Sequence, residues 1–152
     1  MKLHILKKEQ VVSQNISTVF DFFSKPENLS VMTPPKMNFR IFTPSPIDMK
    51  EGALIDYTIN IMFMPIRWRT LITKYDPPNI FVDQQLSGPY SMWHHTHTFE
   101  QLSDNETLIK DEVIYSIPFS FIGKIIHYLY IKGELEKIFT HRENKIEQIF
   151  ND

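Results

Sequence analysis

Over residues 38–117 apolar and polar positions alternate with a period of two, and beyond Pro118 apolar residues recur at steps of three and four. The change of period separates a sheet from a helix. The clearest amphipathic strand spans 53–64, with Ile55, Tyr57, Ile59, Ile61 and Phe63 on one face and Asp56, Thr58 and Asn60 on the other. Pro65 is expected in the following turn. The return strand over 67–75 sets Trp68, Thr70 and Ile72 against Arg67, Arg69 and Leu71. Asp76-Pro77-Pro78-Asn79 reads as a turn. A strand over 80–86 then places Phe81, Asp83 and Gln85 on one face. Ser103-Asp104-Asn105 turns the chain into 107–117, where Ile109, Asp111, Val113, Tyr115 and Ile117 share a face and Lys110 and Glu112 take the solvent side. A short strand over 38–43 precedes these, with Pro44, Ser45, Pro46 and Gly52 forming its turn.

Ahead of the sheet, 3–13 reads as a long first strand with one exposed side or edge. Ser17 is the expected N-cap of a helix carrying Val19, Phe20, Phe22 and Phe23. Pro26 stops that helix and starts a second over 27–32, which Thr33-Pro34-Pro35 ends. At the other end, Ile122, Ile125, Ile126, Leu129, Leu135, Ile138, Phe139, Ile146 and Ile149 form a helical stripe, and charged residues including Lys132 and Arg142 fill the remainder. Gly133 is the expected place for a bend or a close contact, so one long helix, or two joined there, covers the sheet. Strands in a run followed by a helix indicate an α+β class with a mostly antiparallel sheet and a cavity beneath the helix.

One strand departs from the greasy-in, polar-out rule. After the turn signal Gly88-Pro89, the run from Met92 to about Leu102 puts Trp93, His95, His97 and Phe99 on one face and Met92, His94, Thr96 and Thr98 on the other. A face mixing bulky aromatics with imidazoles suits a ligand cavity, which is mostly apolar with a few placed polar groups. Trp68 and Trp93 supply area for stacking on a planar ligand.

Composition narrows the classes. With 152 residues the chain is expected to form one domain over 1–152. A net charge of -2 with no basic stripe argues against nucleic acid. Cysteine is absent, which removes disulfides, thiolate metal sites and a thiol nucleophile and fits a reducing compartment. No stretch reaches the roughly 18 apolar residues of a membrane helix or has signal-peptide form, so a soluble, cytoplasmic protein without stable membrane insertion is expected. Four glycines leave no phosphate-binding loop, and no Gly-x-Ser-x-Gly occurs.

The element order, together with Trp68, Phe81-Val82-Asp83-Gln84-Gln85, Gly88-Pro89-Tyr90, Trp93, His95, His97, Phe99, Asp111, Tyr115, Pro118, Ile138-Phe139 and Arg142, resembles the START-like (SRPBCC) superfamily. That superfamily includes the birch-pollen allergen and the polyketide cyclases, and the resemblance is nearest to its bacterial polyketide cyclase/dehydrase-like ligand-binding subgroup. It implies a helix-grip fold: a curved antiparallel sheet of about six to seven strands wrapped around a long C-terminal helix, with two short helices after the first strand. It also implies a hydrophobic cavity between sheet and helix. Lipid carriers, hormone receptors, cyclases and allergens share this scaffold, so the resemblance does not choose a function.

Strand parity nominates the cavity residues: Tyr57, Ile59, Ile61, Trp68, Phe81, Asp83, Gln85, Trp93, His95, His97, Phe99, Asp111, Val113, Tyr115, Ile126 and Leu129. The corner over 20–33 and the turns at 44–52 and 88–91 would rim the mouth, or the corner's phenylalanines would simply cap the core. The expected function is non-covalent binding, for transport or sensing, of a small hydrophobic or amphipathic ligand whose polar head the His, Asp, Tyr and Gln side chains orient. The alternative is a cyclase or dehydratase using His95 or His97 as acid or base with Asp83 or Asp111, for which buried carboxylates need partners such as Arg67 or Arg69. A third reading is a protein-interaction module with an exposed apolar patch near 20–33. His95 and His97 are spaced to share a metal ion, and Asp83 or Asp111 could add a carboxylate ligand if neighbouring strands bring it onto the same face, but a catalytic centre wants three ligands with outer support and the sequence offers a pair plus candidates. No metal and no cofactor are expected.

Overall fold

The structure, a computed structural model, describes residues 2–61 and 63–151, excluding the side chains of residues 120 and 121. Seven strands form one antiparallel sheet: β1 (His4–Val12), β2 (Arg40–Ile41), β3 (Leu54–Ile61), β4 (Met64–Asp76), β5 (Ile80–Ser87), β6 (Met92–Ser103) and β7 (Glu106–Ser116). β2 to β7 meander in sequence order, and β1 closes the row beside β7. Register shifts between Arg69 and Thr70 and between Ile72 and Lys74 mark bulges in β4 against β5. Such bulges bend and twist a strand, and here they curve the sheet around what it holds.

Two short helices fill the corner after β1: α1 (Ile16–Phe23) and α2 (Leu29–Met32), with a tighter turn at Pro26–Asn28 between them. The α1 N-cap is Asn15, not the expected Ser17. Asn15 has extended backbone, and its side chain accepts from the Thr18 amide at 2.9 Å, which moves the helix start upstream and buries Ile16. The strand expected over 38–43 shrinks to two residues, because Asn38 is left-handed with φ 45° directly after a turn at Pro35–Met37. The strand expected over 53–64 ends at Ile61. Ile61 pairs with Met64 across a two-residue connection in which Phe63 has φ 65° and is fully exposed. Tight hairpins need positive φ, a geometry without a Gly or Asn signature here. Met62, within that expected strand, lies outside the described residues. Pro65 falls inside β4 opposite Asn60 instead of in the turn.

The C-terminal helix runs from α3 (Ser120–Ile126) through a wide π-turn (His127–Ile131) into α4 (Lys132–Phe150). The irregularity lies at this π-turn and not at Gly133, whose position has open space around it. Buried His127 pins the turn: the Tyr115 hydroxyl lies 2.7 Å from its Nε2, and the His4 ring stacks on it at 3.5 Å. At the start of α3, Gly123 packs on the Pro118 carbonyl, where a Cβ would collide. The stripe facing the sheet is Leu135, Phe139, Arg142 and Ile146. Lys8 to Glu136 at 2.6 Å and the Gln10 amide to the Glu143 carbonyl at 2.9 Å tie α4 to β1.

The interior holds two clusters. One joins α1 to the far end of the sheet through Phe20, Phe23, Phe81, Phe99, Ile109 and Ile146. The other packs Trp68, Trp93, Val113 and Tyr115 against Leu135 and Phe139. β6 crosses both, with Trp93 in one and Phe99 in the other. The two histidines between them lie on the seam.

Candidate functional site

Along β6, Trp93, His95, His97 and Phe99 are buried while Met92, His94, Thr96 and Thr98 are half-buried, as a period of two requires. Register brings two carboxylates onto the same face: Asp83 sits opposite His95 on β5, and Asp111 opposite His97 on β7. The shortest bonds run along the diagonals. His97 Nε2 lies 2.6 Å from Asp83 Oδ2, and His95 Nε2 lies 2.8 Å from Asp111 Oδ1. His95 Nδ1 is 3.7 Å from Asp83 Oδ2, and His97 Nδ1 is 3.4 Å from Asp111 Oδ1 without hydrogen-bond geometry. From α4, Arg142 Nη2 donates to the same Asp111 oxygen at 3.2 Å. Both imidazoles stack on each other at 3.7 Å, and His97 stacks in turn on Phe81 at 4.1 Å.

Electrostatics separate the two histidines. Burial alone would raise the Asp111 carboxyl, but the Arg142 guanidinium and then His95 and His97 outweigh it and hold it well below the usual carboxylate range. Burial acts likewise on Asp83, and the His95 and His97 contacts, helped by Arg142, bring it below its ordinary value. His95 is lowered, first by burial and then by the charge of His97, against the pull of both aspartates. Burial also opposes charge on His97, yet Asp111 and Asp83 together raise it. Ionised carboxylates only accept, so His95 Nε2 carries its proton toward Asp111 and His97 Nε2 carries one toward Asp83. Neutral His95 thus keeps a lone pair on Nδ1, while His97 holds a proton.

These groups stand on the wall of a cavity of about 400 Å³ between sheet and helix. Of the residues parity nominated, Tyr57, Ile59, Ile61, Trp68, Phe81, Asp83, Trp93, His95, His97 and Ile126 line it. Six others do not. Gln85 folds back on the Tyr90 backbone with bonds of 2.8 and 3.2 Å, a position kept clear by Gly88, where a Cβ would sit 2.5 Å from Gln85 Oε1. Phe99 belongs to the α1 cluster, Val113 is sealed in the other, and Tyr115 turns to His127. Asp111 stands behind the histidines. Leu129 is 76% exposed, because the π-turn shifts the helical phase and rotates it off the sheet-facing stripe.

Arg142 is the buried site residue that the charge pattern hid. It sits three positions after Phe139 and four before Ile146, so it occupies a place on the buried stripe that its charge assigned to solvent. It reaches Asp111, while Arg69 pairs with Asp56 near the surface at 2.8 Å. Arg142 also lies over the Phe23 ring at 5.1 Å. Tyr90, Thr70, Leu135 and Phe139 complete the walls, and Met49, Pro89 and the 26–39 segment contribute near the corner. The corner itself buries Phe20, Phe23 and Met32 and leaves Val31 exposed, so the expected patch is reduced to that single side chain. Exposed apolar side chains gather instead on Phe119, Ile122, Tyr128 and Leu129.

A curved antiparallel sheet gripping a C-terminal helix over a lined cavity is the helix-grip fold of START-like proteins. Solved structures bear this out. A START superfamily protein from Mycobacterium smegmatis superposes with a TM-score of 0.71 at 14% identity, covering 96% of this chain and 99% of that one. The Zhui aromatase/cyclase from Streptomyces sp. R1128 gives 0.76 at 10% identity, covering 95% and 92%. Norcoclaurine synthase from Thalictrum flavum, in complex with dopamine and hydroxybenzaldehyde, gives 0.68 at 16% identity, covering 97% and 86%. No protein-family model and no curated protein matches the chain. At these identities the likeness establishes the fold alone. No helix among the described residues is long and apolar enough to cross a membrane.

Proposed function

We propose that this protein binds a small, largely apolar molecule bearing an oxygen function in the cavity between its sheet and its C-terminal helix. The observation that carries this reading is the cavity's composition. Its volume of about 400 Å³ falls within the usual range for ligand sites, its walls are mainly aromatic and aliphatic, and Asp83, His95 and His97 form one contiguous polar patch on them. The apolar walls would bury the body of the ligand, and Asp83, His95, His97 and Arg142 would orient its head. Norcoclaurine synthase, on the same fold, holds small aromatics with polar substituents.

The test is titration with anilinonaphthalene sulfonate, followed by its fluorescence and by the quenching of Trp68 and Trp93. Saturable binding at one site, with a raised Tm, supports the reading. If neither this probe nor a panel of hydrophobic phenols and fatty acids binds saturably, the reading fails.

A second reading, an enzyme of the cyclase or dehydratase type, is favoured by one observation: neighbouring imidazoles are pushed in opposite directions. A base with a lowered pKa beside an acid with a raised one is the division that proton transfer at neutral pH uses. His95 Nδ1 would take a proton from a carbon next to a carbonyl, and His97 would donate to the oxygen that becomes an enol or departs as water. His95→Ala and His97→Ala would each abolish turnover of a poly-β-carbonyl thioester if this holds, and would only weaken its binding if the protein is a carrier.

A further inference from the structure

We infer that Asp83, His95 and His97 form a site for one divalent first-row transition ion, zinc or iron(II) in class, on the wall of the cavity. Three observations support it. One ligand atom from each residue lies within 4.8 Å of the others, although the residues come from two strands. Ligand atoms sharing an ion at ~2.1 Å in tetrahedral geometry stand roughly 3.4 Å apart. The 3.7 Å between His95 Nδ1 and Asp83 Oδ2 is already of that size. The 2.6 Å between His97 Nε2 and Asp83 Oδ2 is a hydrogen bond, and it opens when the ion takes the place of its proton.

The second observation is the outer support. Metal-bound histidines hold their far ring nitrogen against a carboxylate, which sets the tautomer and the ring angle. Asp111 does this from behind for His95, 2.8 Å from its Nε2, and stands 3.4 Å from His97 Nδ1, near enough to take that bond once the ion displaces the proton from His97 Nε2. The near nitrogens, His95 Nδ1 and His97 Nε2, are thereby directed toward Asp83. Arg142 neutralises Asp111, leaving Asp83 as the carboxylate that faces an ion.

Third, all three residues line the cavity, so the remaining coordination positions open onto the space where an organic ligand would lie. Two imidazoles and one carboxylate suit zinc, iron(II) and cobalt(II), and disfavour calcium and magnesium, which want oxygen throughout. The expectation of no metal rested on a histidine pair with Asp83 and Asp111 only as candidates, and on ordinary hydrogen bonding that would explain the pair as well. The third ligand and the outer carboxylate come from strands β5 and β7, which pairing alone brings alongside.

The experiment is titration of chelator-treated full-length protein with cobalt(II) by visible absorption and with zinc(II) by calorimetry. One ion per chain, with cobalt bands far stronger than those of the aquo ion, is expected. Asp83→Asn and His97→Ala should each weaken uptake by at least about tenfold, and Asp111→Asn by about 10–100-fold. His94→Ala, on the opposite face where His94 bonds Gln84, should leave it unchanged. Circular dichroism establishes that each variant is folded, and where one is not, the cobalt spectrum of the unaltered protein decides alone. Absence of saturable uptake, or uptake undiminished in both Asp83→Asn and His97→Ala, overturns the site. Anilinonaphthalene sulfonate binding measured on the same samples keeps this outcome separate from the failure of the binding function.

Discussion

Arg142, on the C-terminal helix, donates to Asp111, on the sheet, at 3.2 Å with both side chains about nine-tenths buried. Removing one partner of such a pair strands the other's charge. Arg142→Met is therefore expected to destabilise the fold by about 3–5 kcal/mol, while Arg142→Met with Asp111→Asn should recover much of that loss. Urea denaturation of the two singles and the double closes the cycle. Additive losses would show that the pair is not coupled.

Acid should unfold the protein through the same carboxylates. Asp83 and Asp111 have folded-state pKa values below 3.8, so the stability they confer is complete above that value and is lost as pH falls through the folded values. His97 runs the other way. It is raised from 6.5, so its contribution is complete below 6.5 and is lost as pH rises through its folded value. In metal-free protein, Asp111→Asn should flatten the acid limb of a urea-midpoint series. Imidazole NMR should show His95 titrating below 6.5 and His97 above it.

Filling the cavity should separate binding from stability. Ile59 is buried on β3 and lines the cavity. Ile59→Trp places its extra volume in open space, so the Tm should change little. Affinity for anilinonaphthalene sulfonate should fall at least about tenfold, or about 1.4 kcal/mol.

Phe99 gives the converse. It is 2% exposed and packs against Phe20, Phe23 and Phe81, away from the cavity. Phe99→Ala should cost about 3–5 kcal/mol by chemical denaturation and leave probe affinity in the folded protein unchanged. A matching loss of affinity would place Phe99 in the binding wall after all.

Local pattern determined most of the architecture. Alternation in 54–116 defines β3 to β7 because a strand exposed to two environments must alternate, and the period of the last thirty residues defines a helix for the corresponding reason. The face shared by Trp93, His95, His97 and Phe99 was legible on the same ground. Three things were not. The hairpin at Phe63 depends on a backbone angle that its residue type does not advertise. The π-turn at His127–Ile131 changes the helical phase, turning Leu129 outward, and it is held by Tyr115 and His4 from distant strands. Arg142 looked like one more solvated charge until packing set it against Asp111. Periodicity states which residues share a face, since that is a property of one element. Which faces meet, and whether a buried charge finds its partner, is decided only when sheet and helix close on each other.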